Sequence, residues 1–141
     1  MTPAYRTRHQ LILVAAVVAT LGALMPIAER GVLFLSISHI GGLSVALYLT
    51  GPLIALFALL SLTGKMHATR IWYLPPAVFS LALSLLISFG VAESLDQRPS
   101  LRDASPASFG LGAYALMLGH AVVTFATIGL KASRASVDDQ T

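Results

Sequence analysis

Four apolar runs decide what this chain can fold into. They cover residues 11–28, 43–62, 71–92 and 109–130, and none contains Asp, Glu, Lys or Arg. A helix rises about 1.5 Å per residue, so about 20 apolar residues carry it across roughly 30 Å of hydrocarbon. The runs are continuous rather than alternating, which favours helices. A lone strand would also leave its backbone unpaired in lipid, whereas a spanning helix satisfies its own. The expectation is an all-α membrane protein, a four-helix transmembrane bundle forming one domain over residues 1–131, with a polar, disordered tail at 132–141.

Composition supports lipid as the solvent. Charged residues are 11% of the chain, hydrophobic residues 56%, and mean hydropathy is +0.80. A soluble domain carries roughly 25% charge. The net charge of +3 does not point to nucleic acid, because the basic residues sit in pairs beside apolar runs, where they anchor a membrane protein. The absence of Cys removes disulfides, thiol catalysis and thiolate metal sites together. The lack of Asn beside abundant Ala, Leu and Gly hints at a GC-rich bacterial genome.

The connections carry stop signals. Pro26, Glu29, Arg30 and Gly31 close the first run; Gly64, Lys65 and Arg70 divide the second from the third. Pro75 and Pro76 fall near the start of the third, where a missing N–H costs least. Segment 32–40 is apolar but too short to span, and its β-branched and aromatic content favours a strand-like or interfacial piece. Residues 93–106 form the one polar loop. With the N-terminus inside, Arg6, Arg8, Lys65, Arg70, Lys131 and Arg134 lie on the inner side and Arg30, Arg98 and Arg102 on the outer. The positive-inside rule therefore predicts N-in, C-in in a bacterial inner membrane, with segments 32–40 and 93–106 extracytoplasmic. Trp72 and Tyr73 fit as inner interfacial anchors beside the basic residues. Arg6, Arg8 and His9 resemble the start of a signal peptide, but the apolar stretch behind them exceeds the usual length of roughly 7–15 residues, which favours an uncleaved helix.

Packing faces can be read within the runs. Gly112, Ala115, Gly119, Val122, Ala126 and Gly129 alternate at three- and four-residue steps, a small-residue seam that admits a neighbouring backbone. Leu111, Leu118 and Phe125 lie on another stripe and suit lipid. Ala15, Ala19 and Ala23 share a face of the first run; Ser80, Ser84 and Ser88 share one of the third. Gly51-Pro52 is expected to bend the second helix.

The residues that suggest chemistry are few. His120 lies near the centre of the fourth run, where ionisable residues usually face the bundle interior. Thr124 and Thr127 follow on its face. A neutral imidazole carries one donor and one acceptor, and the Ser stripe, Thr20 and Thr50 are candidate partners across helices. A haem between His39 and His120 would need both at one depth, yet His39 precedes the second run and His120 lies about 16 Å inside the fourth. Zinc lacks ligands. No acidic residue occupies a run, no Gly-x-Ser-x-Gly motif is present, and no internal repeat marks a carrier. No catalytic residue, metal or cofactor is expected. The leading expectation is a non-enzymatic protein that binds another membrane protein, or itself, within the bilayer, as an accessory subunit or an immunity-type protein. The alternatives are a small transporter or channel along Ser80, Ser84, Ser88 and His120, and a haem-binding redox subunit.

Overall fold

A computed structural model describes residues 3–30, 33–36, 42–97 and 106–130. Four helices dominate it: α1 (Pro3–Leu24), α2 (Leu43–Leu62), α3 (Arg70–Asp96) and α4 (Leu111–Ile128). All four are long and apolar enough to cross a membrane. The all-α expectation, which allowed a strand-like piece only in segment 32–40, misses a small sheet, built from β1 (Pro26–Arg30), β2 (Leu33–Ser36) and β3 (Ser108–Phe109) in the order β2-β1-β3, with both pairings antiparallel.

The first helix shows why apolarity alone misplaced its ends. Helix α1 is described from Pro3 onward and takes in Arg6 and Arg8. It ends at Leu24, because Pro26 has no N–H to continue the ladder and biases Met25 toward extended backbone. The residues expected to finish the span become β1 instead. Pro26 pairs with Ser36 and Ala28 with Leu35, so Ile27 is an extra residue in the ladder. A bulge of this kind breaks the alternation of faces. Ile27 and Ala28 are consequently both buried under the sheet. Strand β2 occupies the middle of segment 32–40; residues 37–40 lie outside the described residues.

Helix α3 runs four residues past its expected end, through Glu93–Asp96, so part of the polar loop is helical. At 1.5 Å per residue it is about 40 Å long. Pro75 and Pro76 sit in its second turn and Pro52 in the middle of α2. The fourth run loses Phe109 to β3, which leaves α4 to begin at Leu111. The tail 132–141, Lys131, Arg134, Arg98, Arg102 and His39 lie outside the described residues.

Helix α1 packs on α2 and α4, and α3 packs on the same two. The closest approach is between α1 and α4. A Cβ on Gly119 would stand 2.7 Å from the Ala15 carbonyl oxygen and 2.8 Å from the Ala19 nitrogen. A Cβ on Gly22 would stand 2.8 Å from the Leu116 nitrogen, and one on Gly112 would stand 2.7 Å from the Gly22 carbonyl oxygen. High numbers on one helix meet low numbers on the other, so the pair is antiparallel. Gly112, Gly119 and Ala126 are buried along this seam and Ala115 is half-buried. Gly129 departs from it: that residue is exposed, and a Cβ there would run into the Arg8 guanidinium. Leu111, Leu118 and Phe125 point away from the bundle and are exposed.

Apolar packing divides into two clusters. One, at the end holding the α1 N-terminus, centres on Ile12, Ile54, Ala77, Val123 and Ala126. The other lies toward the sheet and centres on Ala23, Ile27, Leu47, Leu83, Ala113 and Leu116.

Candidate functional site

The polar residues singled out in the sequence fall between and beside these clusters. Val123 and Ala77 belong to the first cluster, Leu116 and Leu83 to the second. His120 and Ser80 lie three or four residues from these pairs, so they occupy one level between the clusters. A helix turns about 100° per residue. Gly119 faces α1, so the next residue, His120, is rotated toward α3. Both His120 and Ser80 are fully buried, and so are Ser84, Ser88 and Thr127; Thr124 is half-buried.

The cross-helix bonds expected of these residues are not made. His120 Nδ1 lies 2.9 Å from the Leu116 carbonyl oxygen, one turn back on its own helix. A carbonyl only accepts, so in the neutral ring Nδ1 carries the hydrogen and Nε2 offers a lone pair. Nε2 has no partner, and neither do the hydroxyls of Ser80 and Ser88. Ser84 Oγ donates to Leu81 O at 2.9 Å. Thr124, Thr127 and Thr20 each donate to the carbonyl four residues back, at 2.8, 2.6 and 2.8 Å, and Thr50 does the same to Ala46. Hydroxyls in helices reach these carbonyls readily, so the threonines are satisfied locally and leave the imidazole alone.

Comparison with protein-family models, curated proteins and solved structures finds no match. What the chain does must therefore be read from its own residues.

A second polar group, absent from the expectations, closes the end that holds the α1 N-terminus. Tyr73, expected as an interfacial anchor, is instead fully buried. Its hydroxyl lies 3.4 Å from Ser61 Oγ, which also accepts the Ala68 N–H at 3.2 Å. Tyr5 donates to the Ala68 carbonyl at 3.0 Å. Residues from α1, α2 and α3 thus hold the connection between α2 and α3 inside the bundle. His9 lies fully buried at the centre, with ring centroids 4.2 Å from Tyr5 and 5.6 Å from Tyr73. Its ring nitrogens face the backbone of Ala68 and Tyr5 without reaching well-aligned hydrogen-bond geometry. The sequence signal was weak: His9 sits among basic residues and reads as part of a charged flank.

Beyond Tyr73, the anchors keep to the periphery. Trp72 is half-exposed and meets Phe57 edge-on at 5.3 Å. Arg6 and Lys65 are exposed, while Arg8 and Arg70 are half-buried.

At the sheet end, Arg30 is 7% exposed. Its Nη1 donates to the Leu95 carbonyl at 2.7 Å and lies 3.3 Å from Asp96 Oδ1. That carboxylate also accepts the Ala107 N–H at 2.9 Å. One cation thereby ties β1 to the end of α3, and one carboxylate ties α3 to the segment leading into β3. In the sequence Arg30 stands out as a residue that closes the first run and as a charge on one side of the membrane, not as a tie between elements.

Among the described residues no three His, Cys, Asp or Glu side chains gather to hold a metal. His9 lies beside Arg8, which rests on Gly129, so it is about two helical turns, roughly 10 Å, from the level of His120. One haem iron needs both axial ligands at a single level, which the described histidines do not offer.

Proposed function

We propose that this chain is a small multi-pass protein of a bacterial inner membrane, with both termini cytoplasmic, that acts by binding another membrane protein or a second copy of itself. Its role is that of an accessory subunit or an immunity-type protein rather than an enzyme. The observation that carries this reading is the sheet. It is fastened to the helices by Arg30 and Asp96, so it is a fixed surface. Its edge strand β2 presents Phe34, which is 58% exposed. Exposed edge strands with an aromatic side chain are recurrent docking elements. The small-residue seam, by contrast, is occupied within the chain by α1 and α4, so a partner must use other surfaces. The six-to-three distribution of basic residues supports the orientation.

A photo-reactive residue at Phe34, activated in intact membranes, tests the reading against one at Phe125 on the exposed face of α4. A discrete protein adduct from position 34 is expected, with lipid adducts from position 125. Lipid adducts alone from both positions would defeat the partner reading. Reporter fusions after Arg134 and near Arg98 test the orientation: the first should be active only as a cytoplasmic fusion, the second only outside.

A second reading, a small transporter or channel, is favoured by the partnerless His120 Nε2, Ser80 and Ser88. Proton or small-cation flux in proteoliposomes, abolished by Ser84→Val, would move it ahead. A Soret band in the purified protein would do the same for a haem role.

A further inference from the structure

Helices α3 and α4 pack on each other, and between them they carry three buried polar atoms with no partner: His120 Nε2 on α4, and Ser80 Oγ and Ser88 Oγ on α3. An unsatisfied polar group in an apolar interior costs on the order of 1–3 kcal/mol, so three within two turns of helix call for a ligand that satisfies them. The requirements of the atoms define its chemistry. Nε2 of the neutral ring needs a donor, because Nδ1 already donates to Leu116 O. Each serine hydroxyl can donate and accept. No Asp, Glu, Lys or Arg lies within the apolar stretches of α3 and α4 at this height, so nothing there balances an ion. The ligand is neutral and is both donor and acceptor.

Its size follows from helix geometry. Ser80, Ser84 and Ser88 recur every four residues, about 6 Å apart along the axis. One water molecule, its two hydrogen bonds of about 2.8 Å set at its near-tetrahedral angle, bridges about 4.5 Å. Each interval therefore takes one to two waters, with the serine hydroxyls turned toward the gap. Ser84 donates to Leu81 O and keeps lone pairs free to accept from both sides. The lower interval, between Ser80 and Ser84, is also the one at the level of His120. A water there finds a third partner in Nε2, and buried waters typically make about three hydrogen bonds.

We propose that the α3–α4 interface binds a short file of water at mid-height, anchored by His120 Nε2, Ser80 and Ser88 and linked through Ser84. The file does not depend on whether the chain binds a partner or passes a solute. It puts His120, at mid-height of the bundle, in contact with exchangeable protons, flanked by the apolar layers of Val123 and Ala77 on one side and Leu116 and Leu83 on the other.

Water-edited solid-state NMR on isotope-labelled protein in lipid bilayers tests this directly. At short mixing times, polarisation from water should reach the His120 ring, Ser80 and Ser88, while Ala77 and Val123, buried in the adjacent apolar layer, stay dark. In Ser84→Val the transfer to Ser88 and His120 should be lost while residues of the sheet keep theirs. The wild-type measurement decides the question even if that variant does not fold. His120 and Ser80 as dark as Ala77, or polarised from lipid acyl chains instead of water, would overturn the proposal.

Discussion

At the scale of single residues, Ser61 does more than its size suggests. Its hydroxyl serves the Ala68 N–H and the Tyr73 hydroxyl together. Ser61→Ala should leave both unpartnered inside the bundle and cost about 1–3 kcal/mol. Tyr73→Phe removes one long contact and keeps the ring, so its loss should stay below about 1 kcal/mol. Chemical denaturation in mild detergent measures both, and equal losses would mean that Ser61 does not hold the connection between α2 and α3. The same place shows where reading a sequence stops. Trp72 and Tyr73 are neighbours and both looked like anchors, but adjacent helical residues diverge by about 100°. One had to turn inward, and the choice depends on the phase at which α3 meets α2. Tyr5 and His9 followed Tyr73 inside for the same reason.

Among elements, the α1–α4 contact has the least tolerance. Gly119→Ala already places a methyl 2.7 Å from the Ala15 carbonyl oxygen, and backbone cannot yield as a flexible side chain does. The expected loss is about 1–3 kcal/mol, and Gly119→Leu should prevent the two helices from meeting. Leu118→Ala, one position round on the exposed face, should change stability by less than about 0.5 kcal/mol. Thermal unfolding of the three variants in detergent gives the ranking, and a Leu118→Ala loss as large as that of Gly119→Ala would reverse the assignment of faces. This seam was legible because small residues at heptad spacing leave a pattern along one helix. The partner helix was not legible, since Ala15 and Ala19 would suit any neighbour. Of the sheet only β2 left a trace, in the β-branched and aromatic segment 32–40; β1 did not, because its first three residues close an apolar run, its bulge removes the alternation that marks a strand, and its pairing with β3 joins residues some eighty apart.

For the whole molecule, Arg30 is where the sheet and the helices become one body. Arg30→Met keeps the apolar stem but removes the bonds to Leu95 and Asp96. The expected result is a loss of about 1.5–3 kcal/mol, the range for hydrogen bonds to a charged group. It should come with faster amide exchange in β1 and at Ala107, while exchange at mid-helix in α2 stays unchanged. Exchange rising equally everywhere would mean that the sheet is not separately fastened.

The intimate pairing of α1 with α4 also sets a calendar. Helix α1 leaves the ribosome well before its closest companion, α4, has been made, and β3, which completes the sheet, arrives just ahead of α4. Until then Gly22 and Ala19 line a bare furrow. A nascent chain halted after Gln97 would carry an unfinished groove into the bilayer, a mark that a membrane protease or chaperone can read. Supplying residues 106–141 as a separate peptide should fill the furrow and lengthen the fragment's lifetime in a pulse-chase experiment. An unchanged lifetime despite co-purification of the two pieces would show that the late arrival of α4 is without consequence.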